Sequence, residues 1–110
     1  MPKIRFIAQV NVVDGRDREF NDWHTNVHMP EVLAASGFTS AQRFRLVTPD
    51  AADPNPFRYL IIYEGECDDP KKALDGLWKG VAEGKVGMSD TLAGTWMALY
   101  EEIPGARMPK

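Results

Sequence analysis

Between Lys3 and Val13 the chain alternates, with Ile4, Phe6, Ala8, Val10 and Val12 on one side and Arg5, Ile7, Gln9 and Asn11 on the other. This alternation predicts a strand with one strongly apolar face, ended by Asp14-Gly15. The spacing then becomes helical: Phe20, Trp23, Val27 and both histidines, His24 and His28, fall on one stripe. Asp14 is placed to cap this helix, and Asp17 and Glu19 suit the positive end of its dipole. Pro30 disfavours helical geometry at Met29 and removes a backbone donor, so the pattern predicts a break or kink there. A short second turn, Glu31 to Ala35, is stopped by Ser36-Gly37.

Phe38 to Val47 (FTSAQRFRLV) reads as a second strand, and Thr48 to Pro56, rich in proline and aspartate, as a long exposed loop. Phe57 to Glu66 (FRYLIIYEGE) is a third strand, whose consecutive apolar residues YLIIY predict cover on both faces of the sheet. Asp69-Pro70 supplies an N-cap and a first helical residue. The helix that follows places Leu74, Leu77, Trp78 and Val81 on one stripe and stops at Gly84. A glycine-containing connection, Lys85 to Gly94, leads to a last strand, Thr95 to Ile103, and the tail PGARMPK is expected to fray. With neither repeat nor linker, residues 1–110 read as a single domain.

The order is therefore β-α-β-β-α-β. Two right-handed β-α-β units interleave most simply as a four-stranded antiparallel sheet with both helices on one face, the ferredoxin-like α+β arrangement. The other face is left bare, and YLIIY and WMALY make it apolar. Pairing with a second copy, face to face, is the natural cover, so a homodimer is expected.

Composition narrows the function classes. Hydrophobic residues make up 44% and charged residues 26%, a globular balance. A net charge of -3 argues against nucleic acid as a partner, since phosphate binding needs a basic face. No apolar run approaches the roughly 18 residues of a membrane span, and Arg5, Gln9 and Asn11 interrupt the N-terminal stretch as a signal peptide would not allow. With Cys67 alone there is no intrachain disulfide, and a cytoplasmic location is expected. The sequence has no CxxC, no Gly-rich phosphate loop and no G-x-S-x-G, so no motif asks for a cofactor.

The run FNDWHTNVHMPEVL, followed by SGFTSAQRFRL and YLIIYE, resembles the dimeric α+β-barrel superfamily, and within it the EthD-like branch. In that branch a helix carries a Trp, a His five residues on, a Pro-containing break and then a Gly-aromatic entry into strand two. Here those positions are Trp23, His28, Pro30, Gly37 and Phe38. The resemblance implies a dimeric barrel with a pocket between the helices and the sheet of each subunit, faced by the helix-one histidine. Relatives include cofactor-independent monooxygenases, polyketide cyclases, lactone isomerases and hydroxynitrile lyases. It thus implies a cofactor-independent enzyme acting on a small aromatic, polyketide or lactone-like metabolite. The sequence departs from the branch at His24, where a Tyr or another aromatic is expected after the Trp.

His28 is the candidate general acid/base. At a helix end the dipole favours imidazolium while desolvation opposes it, and a histidine in a cleft moves protons near neutrality. The plainer alternative is a structural histidine that caps the broken helix. The i, i+4 spacing of His24 and His28 suits a metal, but no H-E-x-x-H is present, and Asp22, Glu31 or Cys67 would join only by tertiary accident, so no metal is expected. Trp23 and His24 are candidate substrate contacts, or simply packed residues. Arg43 shares a strand face with Arg45, where a positive pair holds a carboxylate or enolate oxygen or else lies at a rim. Tyr63 and Trp78, with Trp96 and Tyr100, are candidates to line an aromatic-shaped cavity. The alternative to an enzyme is a non-catalytic accessory protein that sequesters a hydrophobic small molecule. Cys67, among acidic neighbours, is a poor nucleophile.

Overall fold

The computed structural model describes residues 1–48 and 56–110, so most of the expected loop from Thr48 to Pro56 lies outside the described residues. Four strands form one antiparallel sheet: β1 (Lys3–Val12), β2 (Ser40–Arg45), β3 (Tyr59–Glu66) and β4 (Leu92–Glu101), in the spatial order β2-β3-β1-β4. Residues paired across strands share a face, and Phe6 stands opposite both Tyr63 and Leu99. The alternation in β1 thus sends Ile4, Phe6, Ala8, Val10 and Val12 towards the helices, together with Ile61 and Tyr63 of β3. All seven are buried. This is the ferredoxin-like βαββαβ arrangement that the element order predicts. Leu60 and Ile62 point the other way and are only partly buried, because the described residues put no second layer over that face.

Pro30 does not break the first helical segment. Helix α1 (Asp17–Trp23), a π-helical turn (His24–His28) and helix α2 (Met29–Ala35) run on without interruption, and Met29 is helical at φ -56, ψ -50. The Met29 N–H bonds the carbonyl of His24, five residues back. In an α-helix the proline ring would meet the carbonyl four residues back, that of Asn26. Widening the turn by one residue opens that position, so the helix absorbs the proline instead of stopping.

The wide turn also shifts the phase of the apolar stripe. From His24 to Val32 an α-helix would turn about 2.2 times, putting the two on different faces; discounting one residue leaves about 1.9 turns and restores the alignment. Val32 is accordingly buried with Phe20 and His24, whereas Val27, expected on the stripe, is 45% exposed. Nor does Asp14 cap α1: Arg16 occupies the N-cap with no side-chain cap bond. The first turn is held from the side, by the Asp17 carboxylate accepting from the Tyr59 hydroxyl at 2.6 Å and from Arg58 at 3.0 Å.

Asp69 does cap the next turn, accepting from the Lys71 N–H at 3.1 Å. The turn is a 3-10 one (Pro70–Lys72), and helix α3 (Asp75–Ala82) begins only afterwards. Its glycines set its distance from α2, since a Cβ on Gly76 would lie 2.7 Å from the Ala35 carbonyl oxygen. Leu77 is buried, but Trp78 and Val81 are half-exposed, because α3 meets the core with one narrow edge. Among the described residues no helix is long and apolar enough to cross a membrane.

Candidate functional site

A cavity of about 100 Å³ lies between the helices and the sheet, walled by Trp23, His24, His28, Tyr63 and Trp78 together with apolar side chains of β1, β3 and β4. The structure thus brings five of the six expected site residues to one place. The sixth, Arg43, stands outside the wall. Its Nη2 donates to Asn21 Oδ1 at 2.6 Å and its Nη1 to Thr25 Oγ1 at 2.8 Å, while the guanidinium lies over the Phe20 and Tyr59 rings at 5.5 and 5.8 Å. Alternation does place Arg43 on the helix side of β2, opposite Ile61, but helix α1 draws it away from the cavity. Arg45 is exposed, and Trp96 and Tyr100 pair with Gln9 and Arg5 on the open face of the sheet.

The π-turn determines how the rings meet. Residues five apart on an α-helix are separated by about 1.4 turns and face different ways. Here the i to i+5 geometry stacks Trp23 on His28, with centroids 4.6 Å apart and planes at 26°. The two imidazoles are 5.4 Å apart, and Phe20 supports His24 from 4.8 Å.

Both histidines are held neutral. His24, only 3% exposed, is lowered to about 3 by burial first, then by the charges of Arg43 and His28. Burial also lowers His28, against a backbone hydrogen bond at Gly87 and the Glu31 carboxylate, both of which favour imidazolium. The Glu31 Oε1 in turn accepts from the Gly87 N–H at 3.4 Å. The helix dipole expected at His28 does not act there, because the helix continues to Ala35. Burial pushes the Tyr63 hydroxyl up, against the pull of Arg43, so it stays protonated and available as a donor. Nδ1 of His24, Nδ1 of His28 and the Tyr63 hydroxyl are buried and meet no hydrogen-bond partner among the described residues. Such atoms cost free energy until something bonds them.

This arrangement makes stability depend on pH. His24 titrates at about 3 in the folded chain and about 6.5 when unfolded, so below pH 6.5 the unfolded chain takes up a proton that the folded one refuses. Stability is complete above pH 6.5 and falls by about 1.4 kcal/mol per pH unit as the pH drops towards the folded value. His28 adds in the same direction. We expect urea melts at pH 4.5 and 7.5 to differ less in His24→Leu than in the parent; an equal difference would place the acid sensitivity elsewhere.

Sequence reasoning missed several wall residues, including Thr95, Met97 and Met88. Register gives the first two, since Thr95 and Met97 stand opposite Val10 and Ala8. Met88 comes from a connection and carries no such signal. Among the described residues, no three His, Cys, Asp or Glu side chains cluster. A wider groove of about 1090 Å³ lies beside the C-terminal segment, lined by Arg5, Glu64, Glu66 and Glu101, but the unpartnered buried atoms are all elsewhere.

The structure defines a ferredoxin-like domain with a small cavity between helices and sheet, and comparison with known proteins agrees on the fold. A crystal structure of a candidate antibiotic biosynthesis monooxygenase from Bordetella bronchiseptica superposes with a TM-score of 0.67 at 19% identity, covering 94% of this chain and 99% of that one. An EthD-like protein from Ralstonia eutropha JMP134 gives 0.63 at 18% identity, over 92% of each chain. A dimeric ferredoxin-like protein of unknown function from Thermobifida fusca YX gives 0.58 at 13%, again over 92% of each. No curated protein matches the sequence. The profile of DUF4286, a domain of unknown function, matches residues 3–73, and the chain belongs to that family.

Proposed function

We propose that this chain is a cofactor-independent enzyme that moves a proton on a small aromatic or lactone-like metabolite, with His28 as general acid/base. One observation carries this reading: two neutral imidazoles and a protonated tyrosine, with buried polar atoms left unpartnered, share one small cavity. A neutral imidazole removes a proton from carbon beside a carbonyl, and the electron pair moves onto the carbonyl oxygen. The Tyr63 hydroxyl donates a hydrogen bond to that oxygen as charge develops. In a ring with a β,γ double bond, return of the proton from imidazolium to the γ carbon re-forms the carbonyl and shifts the double bond to the α,β position, an isomerisation without oxidant or reductant. Trp23, His24 and Trp78 hold the ring of the substrate. Names of proteins with this fold, among them a candidate monooxygenase and EthD-like proteins, agree with work on small molecules.

The test is exchange of deuterium from D2O into the carbon beside the carbonyl of a cyclic ketone or lactone, followed by NMR. Exchange above the buffer rate is expected at pH 7. A ligand that binds without exchanging would favour the second reading, sequestration, which the mostly apolar wall also supports.

The same reading includes a homodimer. Phe44, Trp96 and Tyr100 are 41%, 42% and 50% exposed on the open face of the sheet, beside Ile7, Leu60 and Ile62. A patch of that kind calls for a partner, and a second copy offers the same surface in return. Light scattering at micromolar concentration should give a dimer that Trp96→Glu converts to monomer. A monomeric parent would refute it.

A further inference from the structure

We infer that the cavity selects an uncharged compound of one five- or six-membered ring bearing a carbonyl or hydroxyl oxygen, and turns away carboxylates and fused ring systems. This deepens the proposed function and rests on its reading of the cavity as the reactive site.

Size comes first. The enclosed space is about 100 Å³. A dry cavity of about 150 Å³ is enough for benzene, and drug-sized ligands need about 300 Å³ or more. This cavity is smaller than that, so it takes at most a single small ring, whose edge reaches the mouth at Met88, Met97 and Trp78, which are 64%, 48% and 45% exposed. A second fused ring finds no room inside.

Charge is the second restriction. Among the described residues the wall contains no Asp, Glu, Lys or Arg, and its two histidines are neutral. A carboxylate brought there would lose its water and meet no counter-ion. Arg43, whose charge reaches His24 and Tyr63, is already engaged by Asn21 and Thr25 and faces the rings of Phe20 and Tyr59. Its Nη atoms are thus occupied, only its buried Nε is left without a partner among the described residues, and Arg43 stands outside the cavity wall.

Polarity is the third. Tyr63 is 1% exposed and His24 3%, and among the described residues the Tyr63 hydroxyl has no acceptor and the His24 Nδ1 no partner. A hydrocarbon of the right size would leave both unsatisfied. An oxygen on the ring gives Tyr63 its acceptor. The walls themselves suit a flat ring, with Trp23 stacked on His28 and Trp78 set edge-on to Phe6 at 89°.

Four probes test this by NMR shifts of the Trp23 and Trp78 indole N–H groups: γ-butyrolactone, cyclopentanone, cyclopentanecarboxylate and the bicyclic 1-tetralone. Butyrolactone and cyclopentanone should bind, and the carboxylate and the tetralone about tenfold more weakly or worse. Tyr63→Phe, which keeps the ring and its packing, should weaken butyrolactone about five- to tenfold. Equal binding of the carboxylate, equal binding of the tetralone, or no binding by either small ring overturns the inference. These readouts do not depend on turnover. Selective binding without deuterium exchange would defeat the proposed function alone, and exchange without selectivity would defeat this inference alone.

Discussion

Replacing His28 by alanine should slow deuterium exchange by about two to four orders of magnitude, the usual weight of a positioned general acid/base. That is about 3–5 kcal/mol of barrier. The expectation rests on geometry as well as on residue type. His28 lines the cavity, stacks on Trp23 at 4.6 Å, and is kept neutral by burial. Ligand affinity should change far less than rate, because the Tyr63 hydroxyl and the apolar wall remain. The two are separable by measuring exchange at saturating ligand and the dissociation constant by titration. Because the base must be unprotonated, the rate should hold at neutral pH and fall only on acidification through the folded value of His28, below the ordinary 6.5. An Ala variant that retained its rate would remove His28 from the chemistry and leave a binding protein.

Phe20→Ala should cost about 3–5 kcal/mol of stability, as expected for a fully buried aromatic. Phe20 is 0% exposed and belongs to a small cluster with Val10 and Val12, against which Trp23, Tyr59 and Leu92 pack. It also supports His24 from 4.8 Å and carries the Arg43 guanidinium over its face. Domains are stable by only about 5–15 kcal/mol, so the loss is a large share of the whole, and the urea midpoint should drop accordingly. Water entering the vacated space should also relieve the desolvation of His24 and move its titration up from about 3. An NMR titration of the His24 ring separates this second effect from the first. A variant of near-parental stability would mean that the cluster collapses to fill the gap.

The element order was legible because β1 alternates cleanly and β3 is a compact apolar run, and burial picks out alternate positions on both, Ile4 and Phe6 on one and Ile61 and Tyr63 on the other. The stripe at helical spacing likewise groups Trp23, His24 and His28, and all three line the cavity. The phase of the helix was not legible. Counting by 3.6 residues assumes one kind of turn, and a proline reads as a stop unless the chain widens around it. So helical counting gives Val27 the place that Val32 holds. Arg43 was misplaced for a different reason. Its strand face was right, but Asn21 and Thr25, 22 and 18 residues earlier, claim its side chain, and no linear pattern pairs them. Met88 reaches the cavity from a connection whose course is set by tertiary packing alone.

The wide turn has a mechanical consequence. It runs from one histidine to the other: His24 meets Phe20 of the small cluster, while His28 stacks on Trp23 and shares the cavity wall with Val32, Phe6 and Leu77 of the larger one. Their 5.4 Å separation therefore works as a gauge of how the two clusters are aligned. A ligand that wedges them apart lengthens the gauge and weakens the repulsion that His28 exerts on a proton bound to His24. Packing and proton affinity are thus coupled across a single helical turn.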